Sequence, residues 1–238
     1  MTAYCIPIHV PIYTDGTRCF VISEWARALA LLRDSFNGAF DRFILVAPAR
    51  PVSGADLLLE PIGVDDGFDP RPSLPADISK RAYWLGGGRR RWRQDVSRAL
   101  YEVDIAHTAI GDLYRPFSLD ALRLAQKRGL PHVFFIDTDI VVQMRNLIEA
   151  GLIRPGPDRA LYVRAYERAL RRIVAGADVS FLKGQALIKR YGGYARNAKL
   201  FQDTSYQSGE VVGEAAVETR LASREAGVLR LVYAGRLV

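Results

Sequence analysis

Short apolar runs alternate with stretches of helical spacing along most of this chain, and the connections between successive runs are too long for hairpins. Strands joined by helical crossovers must lie parallel, and a parallel sheet needs helices over both faces, so the pattern predicts an α/β, Rossmann-like doubly wound sheet. The runs at residues 4–10 (YCIPIHV), 42–48, 57–62, 104–110, 131–139, 178–183 and 199–201 read as strands. Pro7 removes a ladder donor from the first of them. Residues 20–32, 119–128, 158–175 and 185–191 read as helices, the second closed by Gly129. Residues 65–75 are rich in Gly, Pro and Asp and read as an exposed excursion. Residues 208–226 read as a linker with a short helix, and 227–238 (GVLRLVYAGRLV) as one more buried strand, ended by Gly235.

Several classes fall away on composition. No run approaches the ~20 apolar residues of a membrane span, and Met1-Thr2-Ala3 leads into a strand rather than a signal sequence, so a cytoplasmic protein is expected. Two cysteines, Cys5 and Cys19, are too few for a disulfide framework and lack metal-ligand spacing. The net charge of +7 favours anionic partners such as nucleotide diphosphates or phospholipid head groups. RNA-binding, zinc-finger and helix-turn-helix signatures are absent, so nucleic acid is not the expected target. The loop after the first strand holds only Gly16 where a dinucleotide-binding protein would carry G-x-G-x-x-G, which argues against an NAD or FAD cofactor.

Functional groups in such sheets collect at the carboxyl ends of strands. His107 and the cluster Asp137-Thr138-Asp139 lie near such ends. His107 could serve as a proton-transfer group or be a satisfied core histidine. Lys183, beside Gly184, could face a phosphate, or simply end a strand in water. Asp15, Gly16 and Thr17 form either an acceptor-side loop or a plain turn. Asp137 and Asp139, at i and i+2, also resemble the Asp-x-Asp metal pair of single-domain (GT-A) glycosyltransferases. Gly86-Gly87-Gly88 precedes Arg89, Arg90, Arg91, Trp92 and Arg93 without the Lys-Ser/Thr of a P-loop. That basic run reads as a solvated helix start with Trp92 packed inward, or as a peripheral contact with an anionic inner membrane face.

Two segments carry a resemblance to a known family. Leu231 to Leu237 (LVYAGRL) resembles the strand that opens the C-terminal half of two-Rossmann-domain (GT-B) glycosyltransferases, the fourth family in particular. Ala177-Asp178, Lys183-Gly184, Tyr191-Gly192 and Lys199-Leu200-Phe201 stand in the order in which that family ends its N-terminal half, with Asp203-Thr204-Ser205 in place of the usual Pro-Asn-Gly ending. The resemblance implies an acceptor-side domain over 1–207, a linker over 208–226 and the first strand of a donor-binding half over 227–238. It further implies a retaining sugar transfer from a nucleotide-diphosphate sugar to a glycan, lipid or small-molecule acceptor. No cofactor or metal is implied, and the fragment alone is expected to be inactive. His107 and Asp137 are the implied catalytic residues, with Asp15, Gly16, Thr17, Asp139 and Lys183 binding substrate. A non-catalytic glycan- or partner-binding domain is the reading from another class.

Overall fold

The computed structural model describes residues 2–53, 58–111, 113–202 and 213–222. The chain divides into two units, Met1–Asp203 and Thr204–Val238. The first contains β1 (Ala3–Pro7), β2 (Ile12–Thr14), β3 (Cys19–Ile22), α1 (Ser23–Ser35), β4 (Arg42–Pro51), β5 (Leu59–Ile62), β6 (Phe68–Pro75), α2 (Lys80–Trp84), α3 (Gly88–Leu100), β7 (Ile105–Ala109), α4 (Phe117–Lys127), β8 (His132–Ile136), α5 (Ile140–Glu149), α6 (Pro157–Gly176), β9 (Val179–Lys183), α7 (Gly184–Tyr191) and β10 (Ala198–Phe201). In the second, α8 (Glu214–Ala222) is described. The segment 227–238, on which the expectation of a second half rests, lies outside the described residues.

The long parallel strands run in the order β6-β4-β1-β7-β8-β9-β10, so the chain starts at β1 and winds outward first to one side and then to the other. This is the doubly wound arrangement, and its switch point lies between β1 and β7. Cys5, Ile44, Val46 and Ala106 face α3 and α4, while Tyr4, Ile6, Phe43 and Leu45 on the alternate positions face α1. Phe134, Ile136 and Leu182 extend the first layer against α6 and α7.

Three expectations are corrected, and one helix is added. Residues 20–22 are not helical: Cys19–Ile22 is β-branched and aromatic, pairs with β2 across a turn containing Asp15-Gly16, and α1 begins only at Ser23. Residues 68–75 are no excursion but the edge strand β6, with Phe68 and Leu74 buried. Pro70 and Pro72 share one parity in β6, so both missing donors fall on its free side and blunt that edge. Residues 140–149, passed over in the sequence reading, form α5. Among the described residues, helices do not cover the whole of the second sheet face. Over β8 and β9, Val133, Phe135, Val179 and Phe181 floor a groove of about 530 Å³, walled by Leu32 and Phe36 of α1.

Candidate functional site at the carboxyl edge

Pro7 explains where one ladder of the sheet ends. The Ile8 N–H bonds to Val46 O, toward β4. The alternate position, Pro7, therefore turns its donorless nitrogen toward β7, and the β1–β7 ladder pairs only Tyr4 with Ile105 and Cys5 with Ala106. Beyond those pairs the β1–β7 ladder stops, at the switch point.

Three groups converge there. His9, just past β1, is exposed. Gly111 follows β7, and a Cβ at that position would lie 3.1 Å from Ser118 Oγ and 4.0 Å from His9 Nδ1. Glycine is what lets the strand end and the start of α4 approach so closely. Ser118 Oγ sits in the first turn of α4, buried and without a hydrogen-bond partner among the described residues. Beside it is a void of about 20 Å³, room for one water molecule. An exposed imidazole beside a helix N-terminus suits a ligand group rich in hydroxyls or negative charge, while the buried Ser118 hydroxyl can reach at most one enclosed water.

The sequence-predicted residues are distributed otherwise. His107 lies mid-strand in β7, so its expected position near the carboxyl end of the strand is corrected. Its ring stacks on Phe135 with centroids 4.4 Å apart and meets Tyr4 edge-on, and Nδ1 has no partner among the described residues. Burial, with a smaller push from His132, lowers its pKa to about 3, so the ring is neutral at physiological pH. Asp137 is exposed just beyond β8. Asp139 is occupied. Its Oδ1 accepts from the Val141 and Val142 amides at 3.1 Å each and caps α5, while Oδ2 accepts from Arg190 at 3.0 Å. Arg190 also reaches Glu167 at 3.2 Å. The Asp137/Asp139 metal pair thus lacks one free member.

At the end of β9, Lys183 leads into Gly184, which takes φ +74° and starts α7. The tip of the β2–β3 hairpin holds Asp15, Gly16 and Thr17. Asp15 Oδ1 accepts from the Thr17 and Arg18 amides and from the Thr17 hydroxyl, at 2.8–2.9 Å, and these bonds, led by the Arg18 amide, hold its pKa far below the ordinary carboxylate range. Gly16, at φ +98°, completes the turn. Of the predicted set, Asp137 and Lys183 lie along the carboxyl edge, Asp137 exposed and Lys183 half-buried. Gly111 and Ser118 were passed over in the sequence, although Pro7 marks the break in the ladder.

Trp92 is fully buried, donates from Nε1 to Phe117 O at 3.1 Å, and packs on the Phe117 ring. It cannot lie in a membrane interface, which corrects that part of the expected contact. Arg89 is likewise drawn inward by Asp120.

No protein-family model matches the chain, and no curated protein matches it. Among solved structures, it is similar over 94% of its length to a UDP-glucose: anthocyanidin 3-O-glucosyltransferase in complex with UDP, at 9% identity and a TM-score of 0.48. The chain spans 58% of that protein's length. It is also similar to a sucrose-phosphate synthase from Thermosynechococcus elongatus (10% identity, TM-score 0.47, 93% of this chain and 97% of that one). A ribokinase II from E. coli stands at the same level (11% identity, TM-score 0.48, 94% of this chain and 88% of that one). Identities this low do not say which residues carry chemistry.

Proposed function

We propose that this chain is the acceptor-side half of a nucleotide-sugar-dependent glycosyltransferase of the two-Rossmann-domain type. The observation that carries the reading is the end of the β1–β7 ladder at the switch point, with His9 exposed just beyond it. The LVYAGRL segment and the ordered pairs from Ala177 to Phe201 support it from the sequence. Sugar transfer needs an acceptor hydroxyl held and relieved of its proton, and a donor diphosphate neutralised as it leaves. His9 is the imidazole placed for the first task; Asp137 and Lys183, farther along the same edge, bind hydroxyls of the acceptor or a facing phosphate. The second task belongs to a further domain, and transfer with retention to a glycan, lipid or small-molecule acceptor completes the reading.

The test is calorimetry and turnover with a nucleotide-sugar panel on a protein that continues past Val238, alongside residues 1–238 alone. We expect donor binding and transfer only in the longer protein, with His9→Ala lowering turnover and His107→Phe sparing it. Turnover by residues 1–238, or an unaffected His9→Ala enzyme, overturns the assignment.

A further inference from the structure

Around the start of α3 the surface departs from an ordinary solvated face. Leu85, which ends α2, is 81% exposed, and Trp84 and Tyr114 beside it are each 46% exposed. Trp84 and Tyr114 are fastened together, the indole Nε1 donating to Tyr114 O at 2.7 Å. Cations flank them. Lys80 Nζ lies 3.3 Å from the Tyr114 ring centroid and the Arg89 guanidinium 4.6 Å from that of Trp84. Arg81 is exposed on α2, and Arg90 and Arg93 line a shallow groove along α3 with Gln94 and Ser97. Neither Arg90 nor Arg93 has a carboxylate within ion-pair distance among the described residues. Asp120 is buried beneath and committed to Arg89, and Asp95 is taken by Ser73, Arg91 and Arg98, which leaves Asp77 as the nearby exposed carboxylate in sequence.

We infer that this patch, Leu85, Trp84 and Tyr114 together with the exposed cations Lys80 and Arg81 of α2 and Arg90 and Arg93 of α3, seats the protein on the surface of an anionic phospholipid bilayer. Trp, Tyr and Leu side chains gain by sitting at head-group depth, and the cations meet lipid phosphates at the same level. The buried Trp92 has no part in it. A single-stranded nucleic acid is the poorer occupant, because the ring faces that would stack on bases already carry Lys80 and Arg89. The patch lies at the carboxyl edge of the sheet: α3 runs back from the end of β6 to the start of β7, so it begins at that edge, and Tyr114 lies in the β7–α4 loop just beyond Gly111. The inference stands apart from the glycosyl-transfer reading, because vesicle binding is measured without turnover.

The experiment is co-sedimentation of the full 238-residue chain with vesicles of phosphatidylcholine, with and without roughly one-third phosphatidylglycerol. We expect binding to the anionic vesicles alone, weakened by salt. Removing one exposed arginine, in Arg90→Ala or Arg93→Ala, should lower the partition about fivefold. Leu85→Ser, at a side chain in water, should lower it with no change in melting temperature. Quenching of tryptophan fluorescence by brominated lipid should be lost in Trp84→Phe. Equal binding to neutral vesicles, no binding, indifference to all three substitutions, or a preference for a DNA oligonucleotide over vesicles overturns the proposal.

Discussion

Arg89 grips Asp120 at two points, Nε to Oδ2 and Nη2 to Oδ1, each at 2.7 Å, and the Tyr83 hydroxyl donates to Oδ2 from 3.2 Å. Asp120 is 1% exposed, in the first turn of α4, so its charge is out of water and depends on these donors. The pairing ties the start of α3 to the start of α4, the two helices that cover β1 and β7 on one face.

Removing the guanidinium should therefore cost far more than a surface ion pair. Arg89→Ala leaves a buried carboxylate with one hydroxyl donor, and the loss expected is about 3 kcal/mol. Arg89→Lys, which keeps the charge but not the two-point geometry, should recover part of it. Urea denaturation of the three proteins measures both, and a loss below that of an ordinary surface substitution would show the carboxylate to be solvated.

The three glycines at the start of α3 are each required, two by packing and one by its backbone angle. A Cβ at Gly88 would lie 2.6 Å from Ile78 Cδ1 and 3.0 Å from Tyr83 Cα, and one at Gly86 would lie 2.8 Å from Ala82 O. Gly87 between them takes φ +80°. Gly88→Ala forces a backbone shift between α2 and α3, for a loss of about 1–3 kcal/mol. Thermal melting checks it. An unchanged melting temperature would mean that α2 is free to move aside.

Much of the frame could be read from the residues because each run carried its own period and punctuation. The strands 178–183 and 199–201 and the helix closed by Gly129 stand within a residue or so of where the pattern put them. The misses share a physical cause. Strand β6 hides behind its prolines, which are tolerated because its donors are needed on one side only, a fact visible only once β4 is beside it. The site was harder still. His107 sits in a strand whose end the pattern placed one residue too far, and its burial depends on Tyr4 and Phe135, distant in sequence. Asp139 looked like a metal ligand because a cap and a ligand use the same carboxylate; only Arg190, brought in by α7, tells them apart.

Two neutral imidazoles in the sheet make stability depend on pH. Burial lowers the pKa of His107 to about 3 and that of His132 to about 4, and His132 Nε2 lies 2.8 Å from the Thr108 hydroxyl. Unfolded, both would titrate near ~6.5. Between that value and the folded pKa the unfolded chain binds more protons, so stability falls as pH falls below ~6.5 and is whole above it. Urea midpoints between pH ~7 and ~5, above most carboxylate titration, should decline, and His107→Phe, which keeps the stack on Phe135, should flatten the decline. A flat wild-type profile over that range would mean that one or both rings are hydrated in the native state.

Asp139 offers the sharpest contrast between a structural and a metal-binding carboxylate. Oδ1 is shared between two amides and Oδ2 is held by Arg190, so a divalent cation would have to displace a helix cap and an ion pair before gaining a ligand. We therefore expect Mn²⁺ or Mg²⁺, and their removal by chelator, to leave the melting temperature of the chain unchanged. Asp139→Ala should destabilise it by about 1 kcal/mol through the cap alone, and by more through the stranded Arg190, while Asp139→Asn, which still caps, loses less. A rise in melting temperature with Mn²⁺ that Asp139→Asn abolishes would return this carboxylate, with Asp137, to the role of a metal pair.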